Sequence, residues 1–92
     1  MADKKTIDIE IINERGLHAR AAANFVKAID GLDAEVEVER LGQTVDGNSI
    51  MGLMMLAASK GTSIKITASG TEADLAIKNL TNLINSKFGE EK

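Results

Sequence analysis

One histidine occurs in the 92 residues, His18, and it lies between two cations in the stretch Arg15-Gly16-Leu17-His18-Ala19-Arg20. An alternating pattern ends just before it and an alanine-rich helical pattern begins just after, so His18 falls at the cap position of a helix. The first four N–H groups of a helix have no partner inside it. Ser, Thr, Asp or Asn normally supplies an acceptor there, and an acidic side chain answers the positive end of the helix dipole. Here Asn13 and Glu14 precede Gly16 and stand too far back for a standard cap, while Arg15 and Arg20 add positive charge. That end of the helix calls for an anion. Phosphate suits it, because it accepts several backbone N–H bonds and pairs with guanidinium.

The imidazole adds reactivity, since histidine acts as base or nucleophile near neutral pH. A phosphoryl group on its ring nitrogen would set its oxygens among the amides of Ala19 and Arg20, and the Arg20 guanidinium would neutralise the arriving charge. On spacing alone, an ordinary surface histidine is the competing reading. Other chemistries lack their parts. No second histidine serves a Ser or Asp nucleophile, and with no cysteine neither a disulfide nor a thiolate metal site exists. One histidine leaves little for zinc, so no metal or other cofactor is expected. Glu35, Glu37 and Glu39 line one side of a strand and read as a solvated face, not a carboxylate pair.

The whole composition narrows the class further. A net charge of −3 and an aromatic content of 2% argue against nucleic acid, which needs a basic footprint and stacking rings. The N-terminal MADKKTIDIEII has no leader-like apolar run, and no stretch approaches the ~20 apolar residues of a membrane span. A cytoplasmic protein with no membrane insertion is expected, as one domain over residues 1–92 with its ordered core near 5–88 and, by default, a monomer.

Periodicity then supplies the elements that must position His18. Ile7, Ile9 and Ile11 alternate with acidic residues as a strand, and Asn13 to Gly16 form a loop. Ala22, Phe25, Val26 and Ile29 give a helix over 19–30, which Gly31 and Leu32 end. Ala34 to Glu39 alternate cleanly, Gly42 marks a turn, and residues 43–45 complete a hairpin. Ser49 or Asn48 caps a helix running through Ile50-Met51-Gly52-Leu53-Met54-Met55-Leu56-Ala57-Ala58 to Lys60-Gly61. Ile64, Ile66 and Ala68 make a fourth strand. Thr71 and Asp74 suggest a capping box before an amphipathic helix ending near Phe88, with Glu90-Glu91-Lys92 a frayed tail. The order β-α-β-β-α-β-α implies an α+β domain with a largely antiparallel sheet. In the second helix Leu53 and Leu56 are core candidates. Ile50, Met51 and Met54 are left for an adaptable contact surface, since methionine repacks easily against different partners.

With these residues in view, Arg15-Gly16-Leu17-His18-Ala19-Arg20-Ala21-Ala22 and the following Asn24-Phe25-Val26-Lys27 resemble the active-site segment of the HPr family, the histidine phosphocarriers of the phosphoenolpyruvate-dependent phosphotransferase system. Residues 47–56, Gly-Asn-Ser-Ile-Met-Gly-Leu-Met-Met-Leu, resemble the family's second signature, at a fitting distance from His18. The resemblance implies an open-faced β-sandwich, a four-stranded antiparallel sheet with three helices on one face. It implies that His18 takes a phosphoryl group on Nδ1 from enzyme I and passes it to an EIIA protein or domain, with Arg20 as the phosphate-site arginine. It implies regulatory phosphorylation of Ser49 by an HPr kinase/phosphorylase, and a docking patch in which Leu17, Ala23 and Lys27 join Ile50, Met51 and Met54. A regulatory protein that binds enzymes or transcription factors according to its phosphorylation state is the alternative function. Ala21 departs from the proline usual after the arginine, and Arg15 stands where several members have a small polar residue. These changes are similar to branches of the family that serve nitrogen-related regulation.

Overall fold

The computed structural model describes residues 4–92. The reading of the N-terminus as leaderless falls partly on residues 1–3, outside the described residues. Strands β1 (Lys4–Glu10), β2 (Glu35–Arg40), β3 (Gln43–Asp46) and β4 (Ser63–Ser69) form one sheet in the order β1-β4-β2-β3. Every neighbouring pair in it is antiparallel. Helices α1 (Ala19–Ile29), α2 (Ile50–Met55) and α3 (Ala73–Asn85) cover it, and a 3-10 turn follows at Lys87–Gly89.

Register explains why one sheet face is apolar. Ile7 pairs with Ile66, Ile9 with Ile64, and Val36 with Ala68, so the β-branched residues of three strands stand together under the helices. One residue along, Asp8 faces Lys65 and Lys65 faces Glu39, which leaves the other face polar and open to water. Val36, Val38, Ile64 and Ile66 are buried against Phe25, Leu53, Leu80 and Ile84 of the helices. Phe25 and Phe88 are both in this otherwise aliphatic core.

Three local expectations change. The second helix stops at Met55, well short of Lys60, because Leu56 tightens the last turn and Ala57 enters the left-handed region at φ 52°. Arg40 Nη1 takes up the freed Leu56 carbonyl at 3.1 Å. The capping box at Thr71 and Asp74 does not form. Glu72 is the residue before α3, and Thr71 Oγ1 donates instead to Asp33 Oδ2. Glu72 accepts the Asp33 N–H (2.6 Å), so both side chains fasten the loop before β2 to the helix start. The C-terminal tail is not frayed, and its contacts belong to the site.

Candidate functional site

Gly16 sets the approach to α1. Its φ is +66°, and a Cβ there would meet the Ala58 carbonyl oxygen at 2.5 Å. Only glycine accepts both the backbone conformation and that closeness. The next residue, Leu17, donates its N–H to the same Ala58 oxygen (2.9 Å). Ile11 N–H to Thr62 O and Gly61 N–H to Ile11 O, each 2.8 Å, tie the loop's other end to the segment before β4. The loop carrying His18 is therefore clamped along its length.

His18 is the residue before α1, with extended backbone at φ −80° and ψ −178°, and its side chain makes no cap bond. The first helical bond runs from Ala22 N–H to the His18 carbonyl at 2.8 Å. The amides of Ala19, Arg20 and Ala21 thus precede the helical ladder, and no acidic residue lies in the first turn. An uncapped positive helix end beside an imidazole is what the sequence predicts here.

The unforeseen part is the partner of the imidazole. His18 Nε2 lies 2.6 Å from Glu90 Oε2, with the two side chains only 17% and 13% exposed. Asn13, fully buried, donates from Nδ2 to Glu90 Oε1 (2.9 Å) and to the Gly16 carbonyl (2.9 Å). Its own Oδ1 has no hydrogen-bond partner among the described residues. Burial pushes the Glu90 carboxyl up, but the bonds from Asn13 and His18, with the charges of His18 and Arg15, outweigh it and hold the carboxyl below its ordinary value. Glu90 is therefore an anion at neutral pH, able only to accept, and Nε2 must be the nitrogen that carries the proton. No local pattern announces this contact, because the bonds join residues 72 and 77 positions apart.

The tail and the start of α1 enclose an open cleft of about 580 Å³, lined by Glu14, Arg15, Arg20, Asn24, Glu90 and Lys92 among others. Its cations Arg15, Arg20 and Lys92 are matched in number by the carboxylates of Glu14, Glu90 and Glu91, so the cleft offers guanidinium groups beside His18's partner without an excess of positive charge. A cleft of similar volume on the open sheet face is lined by Glu35, Glu37 and Asp46 together with Lys4, the wrong sign for phosphate.

The remaining predicted residues fall in two groups. Ser49 caps α2, its Oγ accepting the Gly52 N–H at 2.9 Å. Ile50, Met51 and Met54 are exposed on α2, as is Met55, while Leu53 and Leu56 are in the core. On α1, which packs against α2, Ala23 is half-buried and Lys27 exposed. Leu17 does not belong to a contact surface. It is only 4% exposed and packs in the core beneath the helix start, because its backbone bond to Ala58 draws it inward.

An open-faced α+β domain with one histidine at an uncapped, cation-flanked helix end defines a small phosphate-handling protein. Known proteins give that class its family. The family profile described as "PTS HPr component phosphorylation site" matches residues 5–86. A phosphocarrier protein HPr of Neisseria meningitidis serogroup A is 50% identical over 82 residues, covering 89% of this chain and 92% of the relative. One from Pseudomonas aeruginosa is 47% identical over 85 residues, covering 91% and 94%. The crystal structure of HPr-C-His from Thermoanaerobacter tengcongensis superimposes with a TM-score of 0.90 at 45% identity, covering 96% of this chain and 99% of that one. The chain belongs to the HPr family and is a phosphocarrier of the phosphotransferase system.

Proposed function

We propose that Nδ1 of His18 accepts the phosphoryl group from phosphorylated enzyme I and that phospho-His18 passes it to an EIIA protein or domain, in the cytoplasm. The observation that carries this reading is the uncapped start of α1, where His18 stands beside three amides outside the helical ladder and no acidic residue competes for them. Arg20, at the rim of the adjoining cleft, neutralises charge on the group as it arrives and leaves. The exposed side chains of Ile50, Met51, Met54 and Lys27, with the half-buried Ala23, are the contact surface of this reading, and the buried Leu17 is not part of it.

Incubation with enzyme I and labelled phosphoenolpyruvate tests it. Acid-labile, alkali-stable label is expected on the protein and absent from His18→Ala. Label retained by that variant would overturn the assignment of His18.

Ser49 is the proposed site of regulatory phosphorylation. Its Oγ faces an amide of α2, so an added phosphate remains at a helix start that tolerates negative charge while adding about −1.5 to −2 to the docking face. An HPr kinase with ATP should give acid-stable phosphate that Ser49→Ala lacks. Acid-stable label surviving in Ser49→Ala would place the modification elsewhere.

A further inference from the structure

The last residues of the chain are bent back at a conformational cost. Lys87, Phe88 and Gly89 have φ values of 59°, 56° and 80°, three successive residues in the left-handed region, two of them not glycine. Such residues persist only where the surroundings hold them. Here Phe88 is buried in the core, Asn24 Nδ2 donates to the Phe88 carbonyl (3.4 Å), and Glu14 N–H donates to the Lys92 carbonyl (3.1 Å). What this bend delivers is Glu90, whose two carboxylate oxygens are each engaged, one by Asn13 and one by His18.

We propose that Glu90 is a positioning residue for phosphoryl transfer: held by Asn13, its carboxylate keeps the His18 proton on Nε2 and fixes the ring so that Nδ1 presents its lone pair to the incoming phosphorus. This rests on the reading of His18 as the phosphoryl acceptor. The step balances without a proton transfer. The Nδ1 lone pair forms the new N–P bond as the donor's bond to phosphorus breaks, and that electron pair leaves with the donor group. The ring of His18 keeps its Nε2 proton and gains a formal positive charge, which faces the Glu90 carboxylate. In the onward step the P–Nδ1 bond breaks, its pair returns to the ring, and His18 leaves as a neutral imidazole because Nε2 never lost its proton. One fixed carboxylate thus serves both receipt and delivery. The arrangement has the logic of an orienting carboxylate behind a reactive histidine, with Asn13 orienting the carboxylate in turn.

The test uses the 92-residue protein and its Glu90→Ala and Glu90→Gln variants. Transfer from enzyme I is measured at saturating carrier, and the ring nitrogens are read by ¹⁵N NMR at neutral pH. In the unsubstituted protein Nε2 should carry the proton and Nδ1 should be bare. Glu90→Ala should slow transfer about tenfold, the order found when the partner orienting an imidazole is removed, and should shift the Nε2 signal. Glu90→Gln can still accept the Nε2 proton and should recover part of the rate. Transfer at the unsubstituted rate in a folded Glu90→Ala protein would overturn the proposal. So would equal slowing in both variants with the ring signals unmoved, since that is the result of a merely structural role. If Glu90→Ala does not fold, a proton found on Nδ1 of the unsubstituted protein overturns the proposal by itself, and one found on Nε2 supports it. Phosphoryl label persisting in His18→Ala in the same assay would instead sink the reading beneath it, so the two failures are told apart.

Discussion

Gly16 is where the geometry of the site is most exposed to a single methyl group. An alanine there would hold a left-handed backbone and press its Cβ on the Ala58 carbonyl at 2.5 Å. Left-handed strain alone costs about 1–3 kcal/mol, and the clash adds to it. Gly16→Ala should therefore lower the urea midpoint by at least that equivalent, with the m-value unchanged. An unchanged midpoint would mean that the loop yields freely. Glu90 makes a second prediction, in pH. Its carboxyl is held below the ordinary 4.5 in the folded protein, so the folded state binds fewer protons there than the unfolded chain. The stabilisation is complete above pH 4.5 and is lost as the pH falls through the lower folded value. Unfolding free energies measured by urea from pH 7 downward should fall less steeply in Glu90→Gln than in the unsubstituted protein. Parallel curves would show that the Asn13–Glu90–His18 contact contributes nothing to folding.

Among the elements, the β2–β3 hairpin carries a removable defect. Arg40 pairs with Gln43 across a two-residue turn in which Leu41 and Gly42 both have positive φ, at 51° and 83°. This is a type I′ turn, and its first position favours asparagine over leucine. Leu41 is 87% exposed, so its side chain contributes no core packing in return. Leu41→Asn should stabilise by about 1 kcal/mol, read as a higher urea midpoint. In α2 the sign reverses. Ser49→Ala removes the Oγ that accepts the Gly52 amide, and should cost about 1 kcal/mol whatever its effect on phosphorylation. The same elements show what could be read from the chain. β2 and β4 alternate so cleanly that their faces and their place in the core follow from period two alone. His18 follows too, because a missing cap is a local signal. The end of α2 does not, since Ala57 turns left-handed only to meet partners elsewhere: the Arg40 side chain and the amide of Leu17. Thr71 misleads for a similar reason, its hydroxyl being taken by Asp33 of a distant loop. Glu90 was illegible altogether. Three charged terminal residues look like a solvated tail until the fold brings Asn13 and His18 to them.

Across the whole molecule, the proposed transfer site and the proposed docking face sit on different elements, His18 before α1 and Ile50, Met51 and Met54 on α2. The uncapped end of α1 holds the reacting group, while α2, only six residues long, packs Leu53 inward and leaves Met51 70% and Met55 65% exposed beside Ile50 and Met54. A helix of that length has too few inward positions for its five large apolar residues, so the patch follows from geometry as well as composition. Flexible methionines suit a carrier that must hold and release more than one partner, with the area engaged kept small enough for rapid exchange. This separation predicts a kinetic split. Met51→Glu removes exposed apolar surface and places a charge where a partner would seat, yet it breaks no core contact. It should leave stability within about 0.5 kcal/mol and raise the KM for enzyme I about tenfold with little change at saturation. Glu90→Ala should do the opposite, slowing transfer at saturation while leaving KM near its original value. If Met51→Glu slowed the saturated rate and spared KM, the patch would be part of the transfer geometry and not a docking face. The expected pattern makes the carrier a division of labour, in which α2 sets how long a partner stays and the His18–Glu90 pair sets what passes while it is there.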